Sequence, residues 1–194
     1  MAEPTPPEIE EKLRQGFRYL NRFMVLMWRL GLGVFMSRRE FSGQIMVITH
    51  TGRKSGMTRR TPVNYALVDG EVYCTAGFGA ASDWYRNIRS NPLVEVWMPK
   101  GWWAGVAEDV SDSPERLKLL RQVIIASGFA SYAAGIDPFK ISDADLARVS
   151  DKYRLVRIRR TIPCTGPNGP GDLAWVWPLA TLGLLVAAML RKKK

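Results

Sequence analysis

Histidine and cysteine are nearly absent from this chain. Its 194 residues hold one histidine, His50, and two cysteines, Cys74 and Cys164. A single imidazole excludes a His-based zinc site and leaves one place at most for the base of a Ser–His–Asp triad, with no candidate partners around it, so no metal is expected. Two cysteines in unremarkable settings exclude a disulfide scaffold and point to a reducing compartment. Acidic side chains are also scarce, 18 against 28 lysines and arginines, for a net charge of +10. Such a balance favours polyanionic partners: nucleic acid, anionic lipid or a phosphorylated cofactor. No recognised nucleic-acid module accompanies the charge, so nucleic acid is not an expected partner. The carboxylates scatter, and no Ser or Cys has a base beside it. An enzyme built on this chain is therefore expected to leave the difficult step to a bound cofactor.

Long apolar runs are missing too, with one exception. From Leu173 to Leu190 the chain reads LAWVWPLATLGLLVAAML, without a charge, and Arg191 to Lys194 close it. That length reaches the lower bound for a membrane-spanning helix, with tryptophans at one edge and a basic stop at the other. The run lacks a polar face, which argues for a membrane anchor over a buried core helix. Basic residues flank it on both sides, so the topology stays open, with the soluble part expected on the cytoplasmic side. The opening MAEPTPPEIEEK is polar and acidic, and no signal peptide is expected from it. These features divide the chain into an N-terminal basic amphipathic helix (1–40), a folded domain (41–162), a Gly/Pro linker (163–172) and the apolar tail (173–194).

The first of these spans Ile9 to Met36, with Leu13, Phe17, Leu20, Met24, Met27 and Leu30 at helical spacing and Lys12, Arg14, Arg18, Arg22 and Arg29 between them. Such a helix either packs on the domain or lies on an anionic membrane surface. The middle of the chain is mostly strand. GQIMVIT, PVNYALV and EVYCTAG are β-rich runs, the last two joined by Asp69-Gly70, a strong hairpin signal. VEVWM and WWAGVAEDV form a second hairpin around Pro99-Lys100-Gly101. A helix follows with Ser113 as its N-cap candidate and Pro114 at its first position, then a shorter helix from Ser142, then a last strand from Tyr153 to Arg160. Short strands with few helices and no βαβ alternation predict a mainly β (α+β) fold, an antiparallel barrel with peripheral helices.

Two stretches carry candidate chemistry. HTGRKSGMTRR, His50 to Arg60, gathers Arg53, Lys54, Arg59 and Arg60 around Gly52 and Gly56. It is no P-loop, because Arg53 separates Gly52 from Lys54 and strands flank it. A glycine-rich turn that exposes backbone N–H groups beside these cations is nevertheless a seat for an anion. AGFGAASDWYRNIRSNP, Ala76 to Pro92, sets small residues around Phe78, leaving room for a flat ligand, and is followed by Trp84, Tyr85 and Asn87 on a short helix. Taken alone, that helix reads as one docking its aromatic side into the core.

Together the two stretches resemble the deazaflavin-dependent nitroreductase family. The match runs through Thr51-Gly-Arg-Lys-Ser-Gly56, Arg59, Pro62 and Trp84-Tyr-Arg-Asn-Ile-Arg-Ser-Asn-Pro92, over roughly Gln44 to Asp109. The resemblance implies a split β-barrel, FMN-binding-like, that binds reduced coenzyme F420, with FMN as the alternative cofactor. It implies that the Gly52–Arg60 turn, with Arg53, Lys54, Ser55, Gly56, Arg59 and Arg60, holds the anionic tail. Pro62, Ala76 and Gly77 are implied to lie along the deazaflavin, with Trp84 and Asn87 orienting the site. Where the family carries a Ser-Lys-Gly-Gly run, this chain has Gly77-Phe78-Gly79-Ala80. Its tyrosine-rich segment is reduced to Tyr132, the candidate proton donor. The implied activity is hydride transfer to a small hydrophobic acceptor: a quinone, nitro-aromatic or conjugated enone. A possible homodimer is implied as well. A non-catalytic membrane protein binding lipid or an apolar ligand is the alternative from another class.

Overall fold

The computed structural model describes residues 7–37 and 43–191. Six strands, β1 (Ile45–Thr51), β2 (Thr58–Val68), β3 (Glu71–Ala76), β4 (Leu93–Met98), β5 (Gly101–Asp109) and β6 (Arg154–Pro163), close into a barrel in the order β1-β2-β3-β6-β5-β4. Every pairing is antiparallel. Closure removes sheet edges and explains how so small a domain keeps its strands paired. Inward residues Met46, Ile48, Val63, Tyr65, Val72, Cys74, Val96, Val156 and Ile158 form the main core.

The hairpin signals fold as read. Val68 pairs with Glu71 across Asp69-Gly70, whose φ angles of 51° and 82° are those of a type I′ turn. Met98 pairs with Gly101 across Pro99-Lys100. The first long helix after the barrel's second hairpin, α3 (Arg116–Ala126), starts later than its Ser113-Pro114 signal. The Ser113 hydroxyl and carbonyl instead accept from Glu115 N and Arg116 N, so the cap residue closes a turn ahead of the helix. α4 (Phe129–Ala133) is a single turn. α5 (Asp143–Val149) is capped as expected, the Ser142 hydroxyl accepting from Asp145 N.

α1 (Pro7–Arg29) packs beside β2, and its Trp28 is buried with Val47 and Trp97. It ends before the expected Met36 because Gly31, at φ 81°, closes it: Gly31 N donates to Trp28 O and Leu32 N to Met27 O. That paired pattern satisfies the last free carbonyls of the helix. The side chains of Lys12, Leu13, Arg14 and Phe17 lie outside the described residues.

The C-terminal run corrects the expectation of a spanning helix. No helix among the described residues is long and apolar enough to cross a membrane. α6 (Val176–Arg191) has 16 residues, about 24 Å against a hydrocarbon core of about 30 Å. The residues just before it are held elsewhere: Gly171 N donates to Trp28 O and Leu173 N to Arg29 O. Asp172 takes Arg29 in a bidentate ion pair at 2.9 Å, and the Trp177 indole donates to Leu30 O. The segment read as a linker is likewise docked, with Gly169 so close beneath Trp102 that a Cβ would stand 2.4 Å from the ring.

Candidate functional site

A cleft of about 470 Å³ opens on the outside of the barrel. Its floor is β2 from Thr61 to Asn64 together with Thr75, Gly77 and Phe78 at the end of β3. α2 (Asp83–Ser90) closes one side with Trp84, α1 contributes Arg18 and Asn21, and the α3–α4 segment contributes Ser127, Ala130 and Ser131. The volume lies within the range that holds cofactor-sized ligands. A Cβ added at Gly77 would meet nothing within 4 Å, so the floor there is open. Elements far apart in sequence meet here because the Asp69-Gly70 hairpin sets β2 beside β3 and because α1 and α3 both pack against β2.

The basic turn lies where β1 and β2 join, two residues along β2 from Thr61, about 7 Å in an extended strand. Most of its backbone amides are already engaged within the fold, contrary to expectation. Gly52 N donates to Met57 O, Ser55 N and Gly56 N to Gly52 O, and Met57 N to the Ser55 hydroxyl. Arg53 N donates to Asn87 Oδ1. Charge at this turn is therefore a matter of side chains, and they divide. The Arg53 guanidinium turns inward, donating to Asn87 Oδ1 at 3.0 Å and pairing with Asp83 at 3.0 Å. Arg60 lies over the Trp97 ring, 4.9 Å from its centroid, and donates to Asn168 O. Lys54 and Arg59 stay exposed, and neither is ion-paired among the described residues.

Behind the turn lies a buried polar cluster centred on His50, which the sequence offered only as a reason to exclude zinc and triads. His50 is 4% exposed and Asn87 5%. The His50 ring meets Thr61 Oγ1 through Nε2 at 3.1 Å and the Asn87 amide through Nδ1 at 3.3 Å. Burial pulls the imidazole down to about 4, opposed by the Thr51 carbonyl and reinforced by the Arg59 charge, so the ring is neutral at physiological pH. The register signal was present: His50 opposes Arg59, which sets Thr61 on the diagonal of the same face.

On its other side α2 is pinned to β5. The Tyr85 hydroxyl and Arg89 both donate to Asp109, whose second oxygen accepts from Ser111. Burial opposes the Asp109 charge, but these donors outweigh it and hold the carboxyl below its usual range. The effect is positional: α2 presents Trp84 to the cleft and Asn87 to the turn.

Of the residues singled out from the sequence, Pro62, Gly77 and Trp84 line the cleft. Ala76 is buried in the barrel core instead. Gly52 is buried and packs under Arg59, while Ser55 and Gly56 are exposed in the turn. Tyr132 is 50% exposed and is not among the cleft-lining residues, although its neighbours Ser131 and Ala130 are. The single turn of α4 directs alternate side chains apart, which the sequence alone did not reveal.

A closed antiparallel barrel, an open cleft floored by a proline and a glycine, and a cationic hairpin beside it define a split-barrel protein with a cofactor-sized site. The chain belongs to the F420H(2)-dependent quinone reductase family, whose profile matches residues 26–142, and is an F420-dependent oxidoreductase. Among solved structures it is similar to a conserved hypothetical protein from Mycobacterium tuberculosis, at 22% identity over 63% of this chain and 76% of that one, TM-score 0.45. It is also similar to an F420-H2 dependent reductase, FDR-A, at 22% identity over 59% of this chain and 93% of that one, TM-score 0.44.

Proposed function

We propose that this protein passes a hydride from reduced F420 to a hydrophobic, electron-poor acceptor of the quinone class, and does so at a membrane surface. The observation that carries the first part is the cleft itself, open at Gly77, with the exposed Arg59 two residues before Thr61 on β2. The residues fit the cofactor: a flat floor for a ring system, and positive charge outside the cleft for a polyanionic tail. When bound, the reduced deazaflavin supplies the hydride. Pro62 and Gly77 offer a flat surface against which the ring stacks, and Trp84 closes the side. Lys54 and Arg59 hold the tail by charge. Arg53 acts on the same tail indirectly, by holding the turn in shape through Asn87 and Asp83. The protein's contribution is orientation and exclusion of water, with the acceptor's proton drawn from solvent or from Tyr132.

Membrane contact is supported by exposed apolar surface on two helices joined at one point. α1 exposes Tyr19, Leu20, Phe23 and Leu26, and α6 exposes Leu182, Leu184, Leu185 and Met189. The Arg29–Asp172 pair fastens the end of one to the start of the other. An apolar helix too short to span is suited to lying in the interface, and flanking basic residues favour the anionic, cytoplasmic leaflet. Because α1 also supplies Arg18 and Asn21 to the cleft, an acceptor dissolved in lipid would have a short path to the site.

Titration of the purified protein with F420 and with FMN, followed by fluorescence at two salt concentrations, tests the cofactor. Tight, salt-sensitive F420 binding supports the reading, whereas binding of FMN alone moves the cofactor to its alternative. Flotation with vesicles containing anionic lipid tests the surface. Leu182→Glu with Leu185→Glu should abolish flotation without altering the melting temperature, since both positions are exposed. Flotation that survives both charges counts against the membrane reading.

A further inference from the structure

The buried cluster between the turn and the cleft has a direction, and chemistry sets it. Arginine and a backbone amide have protons to give and no lone pair to accept with. Both Arg53 N, at 3.1 Å, and Arg53 Nη1, at 3.0 Å, meet one atom of Asn87, which must therefore be its carbonyl oxygen. The other Asn87 atom is then the NH2 group, and it donates to His50 Nδ1. A neutral imidazole that accepts at Nδ1 carries its proton on Nε2, and that proton goes to Thr61 Oγ1. Thr61 Oγ1 is thus an acceptor from His50, and its own O–H has no acceptor among the described residues. Thr61 lines the cleft.

We infer that the chain Arg53–Asn87–His50–Thr61 aims the Thr61 hydroxyl proton into the cleft, where it donates to a hydrogen-bond acceptor on the edge of the bound deazaflavin ring system. Thr61 is then a cofactor-binding residue, and His50 and Asn87 are positioning residues that make it a donor rather than an acceptor. The inference rests on the F420 reading for the identity of the ring. The ring suits the role, because its pyrimidine half carries carbonyl oxygens and ring nitrogens that accept. The arrangement also ties the tail site to the ring site: the arginine that shapes the cationic turn begins the chain that ends at the cleft floor. The competing arrangement places the proton on Nδ1, toward the Thr51 carbonyl. Nε2 would then accept from Thr61, whose proton would face away from the cleft.

The protein has one histidine, so the test needs no assignment. Long-range 15N–1H spectra of the protein labelled at histidine, recorded without cofactor near pH 7, distinguish the two tautomers directly. A protonated Nε2 with a bare Nδ1 is expected, and a protonated Nδ1 overturns the inference. The second arm measures F420 affinity by fluorescence. Thr61→Val, a substitution a strand position tolerates, should weaken binding on the order of tenfold, with Thr61→Ser within about threefold of wild type. In a His50→Leu background the same Thr61→Val change should have little further effect, since the hydroxyl has already lost its orientation. Thr61→Val protein that binds F420 as tightly as wild type overturns the inference alone. Wild-type protein that takes up no F420 removes the ring contact together with the functional reading, while the tautomer still reports the direction of the chain.

Discussion

Two pairs of cations in one hairpin look alike in sequence and differ in every structural respect. Arg53 and Arg60 are turned onto the fold, one onto Asn87 and Asp83, the other onto Trp97 and Asn168. Lys54 and Arg59 face solvent without ion pairs among the described residues. The inward pair shapes the turn and fastens it to α2 and the barrel wall; the outward pair is what an anionic tail would meet. A basic motif is therefore two devices, and charge alone does not separate them. Guanidinium suits the first because its planar fork satisfies several acceptors at once, as Arg53 does with Asn87 Oδ1 and Asp83 Oδ1.

The strongest way to break the inward device is at its hub. Asn87→Leu removes the acceptor of two Arg53 donors and leaves the buried His50 ring without a partner at Nδ1. We expect a loss of about 3 kcal/mol, read by urea denaturation, because buried polar groups left unsatisfied cost about 1–3 kcal/mol each. A loss below 0.5 kcal/mol, the ordinary range of surface substitutions, would reduce the cluster to ornament.

Acid provides the next largest effect. His50 binds a proton less readily folded than unfolded, with values of about 4 and 6.5. Between these values the unfolded chain carries more protons, so stability rises with pH across that window and is lost as pH falls from about 6.5 to about 4. The loss assignable to this ring is about 3 kcal/mol. Replacing it by an untitratable residue, His50→Asn, should flatten that part of the stability profile; an unchanged slope would mean the ring is not kept neutral by burial.

A smaller pair of changes sharpens the contrast itself. Arg60→Ala should lower stability by about 1 kcal/mol through the lost cation–π and stem packing, with F420 affinity unchanged. Arg59→Ala should do the reverse, leaving stability within about 0.5 kcal/mol while weakening F420 binding several-fold at low salt. Equal effects on stability would erase the division between the pairs. The least effect is expected at Tyr132, half exposed and outside the cleft lining. Tyr132→Phe should leave turnover within about twofold, and a fall of the 10²–10⁴ typical of a lost general acid would restore it as the proton donor.

The legible part of the site was the part written in local motifs. Gly52 to Arg60 and Trp84 to Asn87 each carry a turn or a helix whose shape follows from neighbouring residues, and the β2–β3 hairpin is specified by Asp69-Gly70. His50 carried no positive signal in the sequence because its hydrogen-bond partners, Thr61 and Asn87, lie 11 and 37 residues away. Ala76 and Tyr132 were placed by motif position, but strand alternation buries one and a single helical turn points the other outward. The apolar tail was read as one continuous helix from its composition, whereas hydrogen bonds to the end of α1 draw its first residues into a docked turn.

What the amino-acid sequence by itself determined was the class of the domain, its hairpins and its cationic turn. Each of these follows from residue types and short spacings, which act through local φ/ψ preferences and charge. The tertiary structure alone decided which cations face inward, where the cleft opens, which way the hydrogen bonds of the His50 cluster run, and how much of the tail is free to be a helix. Those depend on barrel closure and on helices packing across it, and contacts between distant residues are settled by burial and by the need to satisfy every buried polar group.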